Sequence, residues 1–169
     1  DVMLQACASG GGRVDYGSLP YHDEFWTSDN TDALQRVYMQ YATNLIYPPV
    51  ATASHVSASP GHQTGSITPL KFRFDVAMSG RLGLELQPKD IPAGEMAFAR
   101  EAIANYKTHI RELVTKGDLY RLISPYECTN NHAANMLVRK DKSKAVLFAY
   151  CTGFNRRGIR PTVHLHGLD

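Results

Sequence analysis

Phe25-Trp26-Thr27-Ser28-Asp29-Asn30-Thr31-Asp32 decides how the rest of this chain is read. An aromatic pair runs into small polar residues and two carboxylates, and a helical pattern follows at once. Asp32 is a good helix N-cap, and Gln35 stands three positions on, the spacing of a capping box. Leu34, Val37, Tyr38, Tyr41, Leu45 and Ile46 then recur at helical spacing, and Pro48-Pro49 ends the pattern. The stretch therefore reads as a strand-to-helix junction. Upstream, the apolar run 2–6 predicts a short strand. It is followed by Cys7-Ala8-Ser9-Gly10-Gly11-Gly12-Arg13, a loop so poor in side chains that backbone can approach a ligand closely.

The alternation continues downstream. Residues 50–63 read as a short strand and a long loop with a turn at Pro60-Gly61, 69–79 as a helix closed by Gly80, and 82–86 as a strand. A long helix is predicted over 93–116, where Met96, Ala99, Ile103, Tyr106, Ile110 and Leu113 step by three and four, with Gly117 in the left-handed C′ position. Strand alternating with helix implies parallel β/α units. After Gly117 the pattern changes to strand-like runs at 119–124, 135–139, 145–150 and 162–166, with a hairpin connection at Lys140-Asp141-Lys142-Ser143. The expected organisation is α/β over 1–117 and antiparallel β over 118–169. Strand patterns at both ends of the chain suggest a piece of a longer protein.

With 18 basic and 16 acidic residues, the formal charge of +2 offers no electrostatic case for nucleic acid or a membrane surface. No apolar run approaches the length of a membrane span. Cys7, Cys128 and Cys151 form no C-x-x-C pair and cannot all be bridged internally, which argues for a reducing, cytoplasmic setting.

Several residues carry candidate chemistry. Asp29 stands just before the N-cap, on the C-terminal side of a β/α unit, where barrel enzymes keep their reactive groups. The residues alone leave it either a ligand-facing carboxylate or a second cap. Asp32, with Gln35 behind it, reads as the cap, and Asp23 as a loop carboxylate. Trp26, the only tryptophan, is either core or a platform for a sugar ring. The glycine run lacks the spacing of a nucleotide-binding loop. Cys7 has no base beside it in sequence and reads as a small hydrophobe. His55 and His62, placed together in one loop, and His164 and His166, on one face of a strand, bring no further ligands at metal spacing, so no metal is expected. Strand-end loops with a carboxylate, an aromatic and a glycine run fit a sugar site.

At these residues the chain resembles the family 36 glycoside hydrolases, the retaining α-galactosidases. The matching motifs are the Cys7 to Arg13 and Trp26 to Asp32 stretches with Ala33, His55-Val56-Ser57-Ala58, Gly61-His62-Gln63-Thr64 and Asp75-Val76-Ala77-Met78-Ser79-Gly80. Tyr120-Arg121-Leu122-Ile123-Ser124-Pro125 and Gly167-Leu168-Asp169 match as well. The resemblance implies the C-terminal portion of a (β/α)8 TIM barrel over 1–117, followed by the start of an antiparallel β domain. It implies hydrolysis of terminal α-galactosides of the raffinose or melibiose type by double displacement, without cofactor, in a full-length protein that is homo-oligomeric. Asp29 matches the general acid/base. Cys7, Gly10 and Trp26 match residues lining the galactose pocket, and Arg13 lies in the same motif. The family's nucleophile, an aspartate in a Lys-x-Asp strand, has no counterpart here. The isolated chain is therefore expected to be inactive. Galactosyl transfer, α-N-acetylgalactosaminidase activity and a non-catalytic carbohydrate-binding module are the alternatives.

Overall fold

The computed structural model describes residues 2–12, 14–127, 131–153 and 161–168. Its first sheet is parallel and four-stranded. β1 (Gln5–Ala6), β2 (Glu24–Trp26), β3 (Thr52–Ser57) and β4 (Arg81–Glu85) lie side by side in sequence order. Helix α1 (Ala33–Thr43) connects β2 to β3, and α2 (Leu70–Ala77) connects β3 to β4. A loop with one 3-10 turn at Leu19–Tyr21 links β1 to β2.

Helix α1 starts where the sequence predicts. Asp32 is the N-cap, and its Oδ1 accepts from the Gln35 N–H at 3.0 Å. The return half of the box is made differently: the Asp32 N–H donates to Asn30 Oδ1 at 3.1 Å. The buried face also departs from the apolar pattern. It carries Ala33, Arg36, Val37 and Gln40, whereas Leu45 and Ile46 lie beyond the last turn and are exposed. Polar Gln40 is accommodated because it bridges two layers. Its amide donates to Val76 O and Ser79 Oγ, and its carbonyl accepts from Ser54 Oγ at 2.7 Å.

Strand alternation gives the parallel sheet two faces. The helix side carries Ser54 and Val56, packed towards α1 and α2. The other side is a polar and aromatic layer. Gln5 Nε2 donates to Glu24 Oε1 at 2.8 Å, and Arg81 pairs with Glu24 at 3.4 Å. Next along the strands, the Trp26 ring lies 4.4 Å from the His55 ring. His55 is a β3 residue, not part of the following loop, and Gly83 stands opposite it in register. A Cβ at Gly83 would come within 2.3 Å of the imidazole, so this glycine makes room for it.

The predicted long helix is continuous but changes pitch. α3 (Ala93–Asn105) passes through a π turn at Tyr106–Ile110 into α4 (Arg111–Lys116). The Tyr106 hydroxyl, on that turn, donates to Gly80 O and accepts from the Leu82 N–H. Gly117 is extended and not left-handed. A side chain there would meet Leu113 O at 2.5 Å and Val138 O at 3.0 Å, so close approach, not positive φ, demands glycine.

The second sheet is antiparallel, with β5 (Asp118–Ile123), β6 (His132–Val138) and β7 (Ala145–Cys151) in that order. Residues 139–144 close the expected hairpin, with Lys142 in the left-handed region. The strand expected at 162–166 does not form, so His164 and His166 share no strand face. Leu137, Phe148 and Tyr150 join Val37, Phe74, Val76 and Leu113 in one core. Arg121 donates to Asn44 O at the end of α1 and Tyr150 to Asp75 O on α2, so the antiparallel sheet is tied to both helices by polar contacts as well.

Candidate active site

The two glycine- and aspartate-bearing loops meet at the C-terminal ends of β1 and β2. The β1–β2 register pairs Ala6 with Phe25, which sets residues 7–12 beside the chain leaving Trp26. The approach is backbone against backbone. Added at Gly10, a Cβ would lie 2.9 Å from Asp29 N and 3.1 Å from Ser28 Cα. At Gly11 it would lie 2.5 Å from Thr27 O. Gly10 also has φ of +72°, a conformation that side chains disfavour. The glycine run is thus the wall on which the Asp29 loop rests. Cys7 and Gly10 line a cavity of about 380 Å³ together with Asp15, Ser18 and His22.

Asp29 itself is solvent-exposed, and its carboxylate makes no hydrogen bond or ion pair among the described residues. Its neighbours do the capping. Asn30 N–H donates to Ser28 Oγ, and Asp32 holds both the helix end and the following loop. Asp32 Oδ2 accepts from Thr64 Oγ1 at 2.7 Å and also from Ser66 Oγ. Burial pushes the Asp32 carboxyl up. The hydrogen bonds from Ser66, Thr64 and the backbone of Gln35 and Leu34 outweigh that and hold it below the usual carboxylate range. Asp32 is therefore fixed as an acceptor, whereas Asp29 has no hydrogen-bond partner among the described residues.

Trp26 is 7% exposed. Its ring packs on His55, and the Arg36 guanidinium sits 4.6 Å from its centroid. The described residues give it packing partners in place of an open stacking face. Arg13 lies outside the described residues.

Sequence reasoning missed Arg36, because a charged residue at the fourth helical position reads as solvated surface. It is 3% exposed. Nε donates to Asn30 O at 2.8 Å, Nη2 donates to Ser28 O at 2.7 Å, and Nη1 donates to Thr27 Oγ1. Burial pushes its guanidinium down to about 10, against the opposing pull of Glu85 and Asp29. It thus stays a cation at neutral pH. His55 is held below its usual range by burial first and by the Arg36 charge, with Glu24 opposing. The imidazole on Trp26 is therefore a neutral packing partner at neutral pH. The signal that could have found Arg36 is the helical spacing Asp32, Arg36, Gln40, a polar row at i, i+4, i+8 pointing under the loop.

Among the described residues no three His, Cys, Asp or Glu side chains cluster so as to hold a metal ion, and no helix is long and apolar enough to cross a membrane.

A family model described as Melibiase matches residues 1–117. The chain belongs to the Melibiase family. Over 170 residues it is 42% identical to "Probable alpha-galactosidase G" of Aspergillus terreus, covering all of this chain and 23% of that protein. The crystal structure of the GH36 α-galactosidase AgaA from Geobacillus stearothermophilus superposes with a TM-score of 0.94 at 42% identity, over 99% of this chain and 23% of that one. A substituted form of AgaA in complex with raffinose gives 0.94 at 41% identity, with the same coverage. The chain therefore spans about a quarter of the length of the relatives it matches. The Melibiase match ends at Gly117, where the parallel β/α pattern gives way to the antiparallel sheet.

Proposed function

We propose that this Melibiase-family chain forms the closing β/α units of a (β/α)8 barrel, over residues 1–117, and the start of the following antiparallel β domain, over 118–169, in a family 36 retaining α-galactosidase. The sequential order of the four parallel strands supports the barrel. A doubly wound sheet would reverse its order at a switch point, whereas a barrel adds each strand beside the last. The substrates are α-galactosides of the raffinose type, the ligand named for one AgaA complex. The exposed free thiols of Cys7 and Cys151 support a reducing, cytoplasmic setting.

One observation carries the mechanistic reading. Asp29 is an exposed carboxylate with no hydrogen bond among the described residues, held at a strand C-terminal end by a loop in which the Ser28 and Asn30 carbonyls and the Thr27, Ser28 and Asn30 side-chain oxygens all accept hydrogen bonds. Such a group can exchange a proton with a bound ligand. In the proposed cycle an aspartate from another part of the barrel attacks the anomeric carbon. Asp29, entering protonated, gives its proton to the departing glycosidic oxygen. As carboxylate it then takes a proton from the water that releases galactose with retained configuration. Cys7 and Gly10 line a cavity formed by the β1–β2 loop, and Gly10 also packs on Ser28 and Asp29; both are assigned to the galactose pocket, with Arg13. Trp26 is assigned to that pocket as a wall buttressed by His55 and Arg36, not as a free platform.

The test is Asp29→Ala in the full-length protein that carries this chain. Turnover of raffinose should fall by about 10²–10⁴-fold, the range for general acid catalysis. The kcat/KM for an aryl α-galactoside with a good leaving group should fall far less, since its oxygen departs without a proton. Equal losses on both would remove Asp29 from the acid role.

A further inference from the structure

We propose that Arg36 is a positioning residue for Asp29: its buried guanidinium grips the carbonyls on both sides of Asp29 and so sets where that carboxyl stands. The inference rests on the acid/base reading of Asp29 and adds a residue to it.

Three directions of contact make the clamp. One guanidinium edge takes Asn30 O, another takes Ser28 O, and a third N–H takes Thr27 Oγ1. The residue between Ser28 and Asn30 is Asp29. A planar group with donors in a rigid fork fixes the relative placement of two carbonyls, which a rotatable ammonium cannot do. The guanidinium is itself packed on the Trp26 ring, 4.6 Å from its centroid, and the residue is buried. None of the ion pairs among the described residues involves Arg36. A buried cation whose hydrogen bonds go to loop oxygens, with Glu85 and Asp29 acting on it only from beyond ion-pair distance, is an expensive way to hold a loop that does nothing. From the opposite side Gly10 presses on Asp29 N and Ser28 Cα. The loop is thus gripped between α1 and the glycine run, and only the Asp29 side chain is left outward.

A residue that merely stabilises the barrel would affect every substrate alike when removed. A residue that aims the acid would affect those substrates that need a proton. The experiment compares Arg36→Met, Arg36→Lys and Thr27→Val with Asp29→Ala in the full-length protein. Raffinose and an aryl α-galactoside with a good leaving group are the two substrates. For Arg36→Met, kcat on raffinose should fall by about 30- to 100-fold with KM nearly unchanged, the cost of misplacing a catalytic group by up to an ångström. On the activated aryl substrate, kcat/KM should change less than about threefold. Arg36→Lys keeps the charge but loses the fork, and should show the same selectivity at about tenfold. Thr27→Val removes one acceptor and should show it at about threefold.

Equal losses on both substrates in Arg36→Lys and Thr27→Val, or no loss in either, would overturn the positioning role even if Arg36→Met fails to fold. The parallel Asp29→Ala variant separates the two readings. If it is selective and the Arg36 and Thr27 variants are not, only the positioning role falls. If it is itself unselective, the acid assignment falls and the positioning role with it.

Discussion

Replacing Gly10 by alanine should disturb Asp29 through the backbone alone. Two costs act at Gly10. The residue has φ of +72°, and an alanine there pays about 1–2 kcal/mol for the left-handed conformation. Its Cβ would also stand 2.9 Å from Asp29 N and 3.1 Å from Ser28 Cα, and neither atom can rotate away as a side chain could. That overpacking costs about 1–3 kcal/mol. Gly65 is the internal control. It has φ of +67° with nothing within 4 Å of the added Cβ, so it meets the first cost and not the second. Both substitutions reduce unfolded-chain entropy by the same amount, worth about 0.4–1 kcal/mol, and this cancels in the comparison. Urea unfolding of the two variants of the full-length protein should therefore place Gly10→Ala about 1–3 kcal/mol below Gly65→Ala. Restoring an ordinary contact of 3.4 Å requires the Asp29 loop to retreat about half an ångström. That should lower kcat on raffinose by about tenfold in Gly10→Ala alone. Equal stability and equal activity in the two variants would refute the argument that the glycine run is the wall behind Asp29.

Other outcomes follow from the same contacts. Asp32→Ala removes the α1 cap and the anchor of Thr64 and Ser66, and should destabilise by about 1–3 kcal/mol near neutral pH. Because the folded Asp32 carboxyl is held below its unfolded value, its contribution is full above the ordinary carboxylate range. It is lost as pH falls through the lowered folded value, so the wild-type advantage should shrink below about pH 4 in unfolding experiments. A constant difference from pH 7 to pH 2 would contradict this. Gln40→Ala strands Ser54 between α1 and β3, while Ser79 keeps its bond to Val76 O, and should cost about 1–3 kcal/mol of unfolding free energy, against less than about 1 kcal/mol for exposed Gln35→Ala.

Long-range order was legible where local chemistry is strong. Asp32 announces its helix because capping is decided by four consecutive residues, and the hairpin at 139–144 by the same locality. The break at Gly117 shows in the sequence because helical spacing ends there and period-two runs begin. The reason for the glycine was misjudged, since the nearness of Val138 O is a tertiary fact. The buried face of α1 was misread for a related cause. Arg36 and Gln40 are inside only because carbonyls and hydroxyls from β2, β3 and α2 meet them, and no pattern within the helix encodes those partners. His55 was assigned to a loop because β-branched residues are sparse in Thr52–Ser57. The pairing with β2 and β4 overrides that weak propensity. At the candidate site the meeting of residues 7–12 with 26–29 follows from parallel register, which the motifs suggested only through resemblance. The enclosure of Trp26 by His55 and Arg36 was not legible at all.

In the proposed cycle Asp29 exchanges protons with the sugar's leaving oxygen and with the incoming water. Azide rescue of Asp29→Ala in the full-length protein tests it most directly. With an activated aryl α-galactoside, release of galactose from the covalent intermediate lacks its base, and azide needs none. Azide should restore turnover, and the product should be the α-galactosyl azide, with the configuration of the substrate. Formation of the β-azide would make Asp29 the nucleophile instead, and no stimulation by azide would contradict the acid/base role.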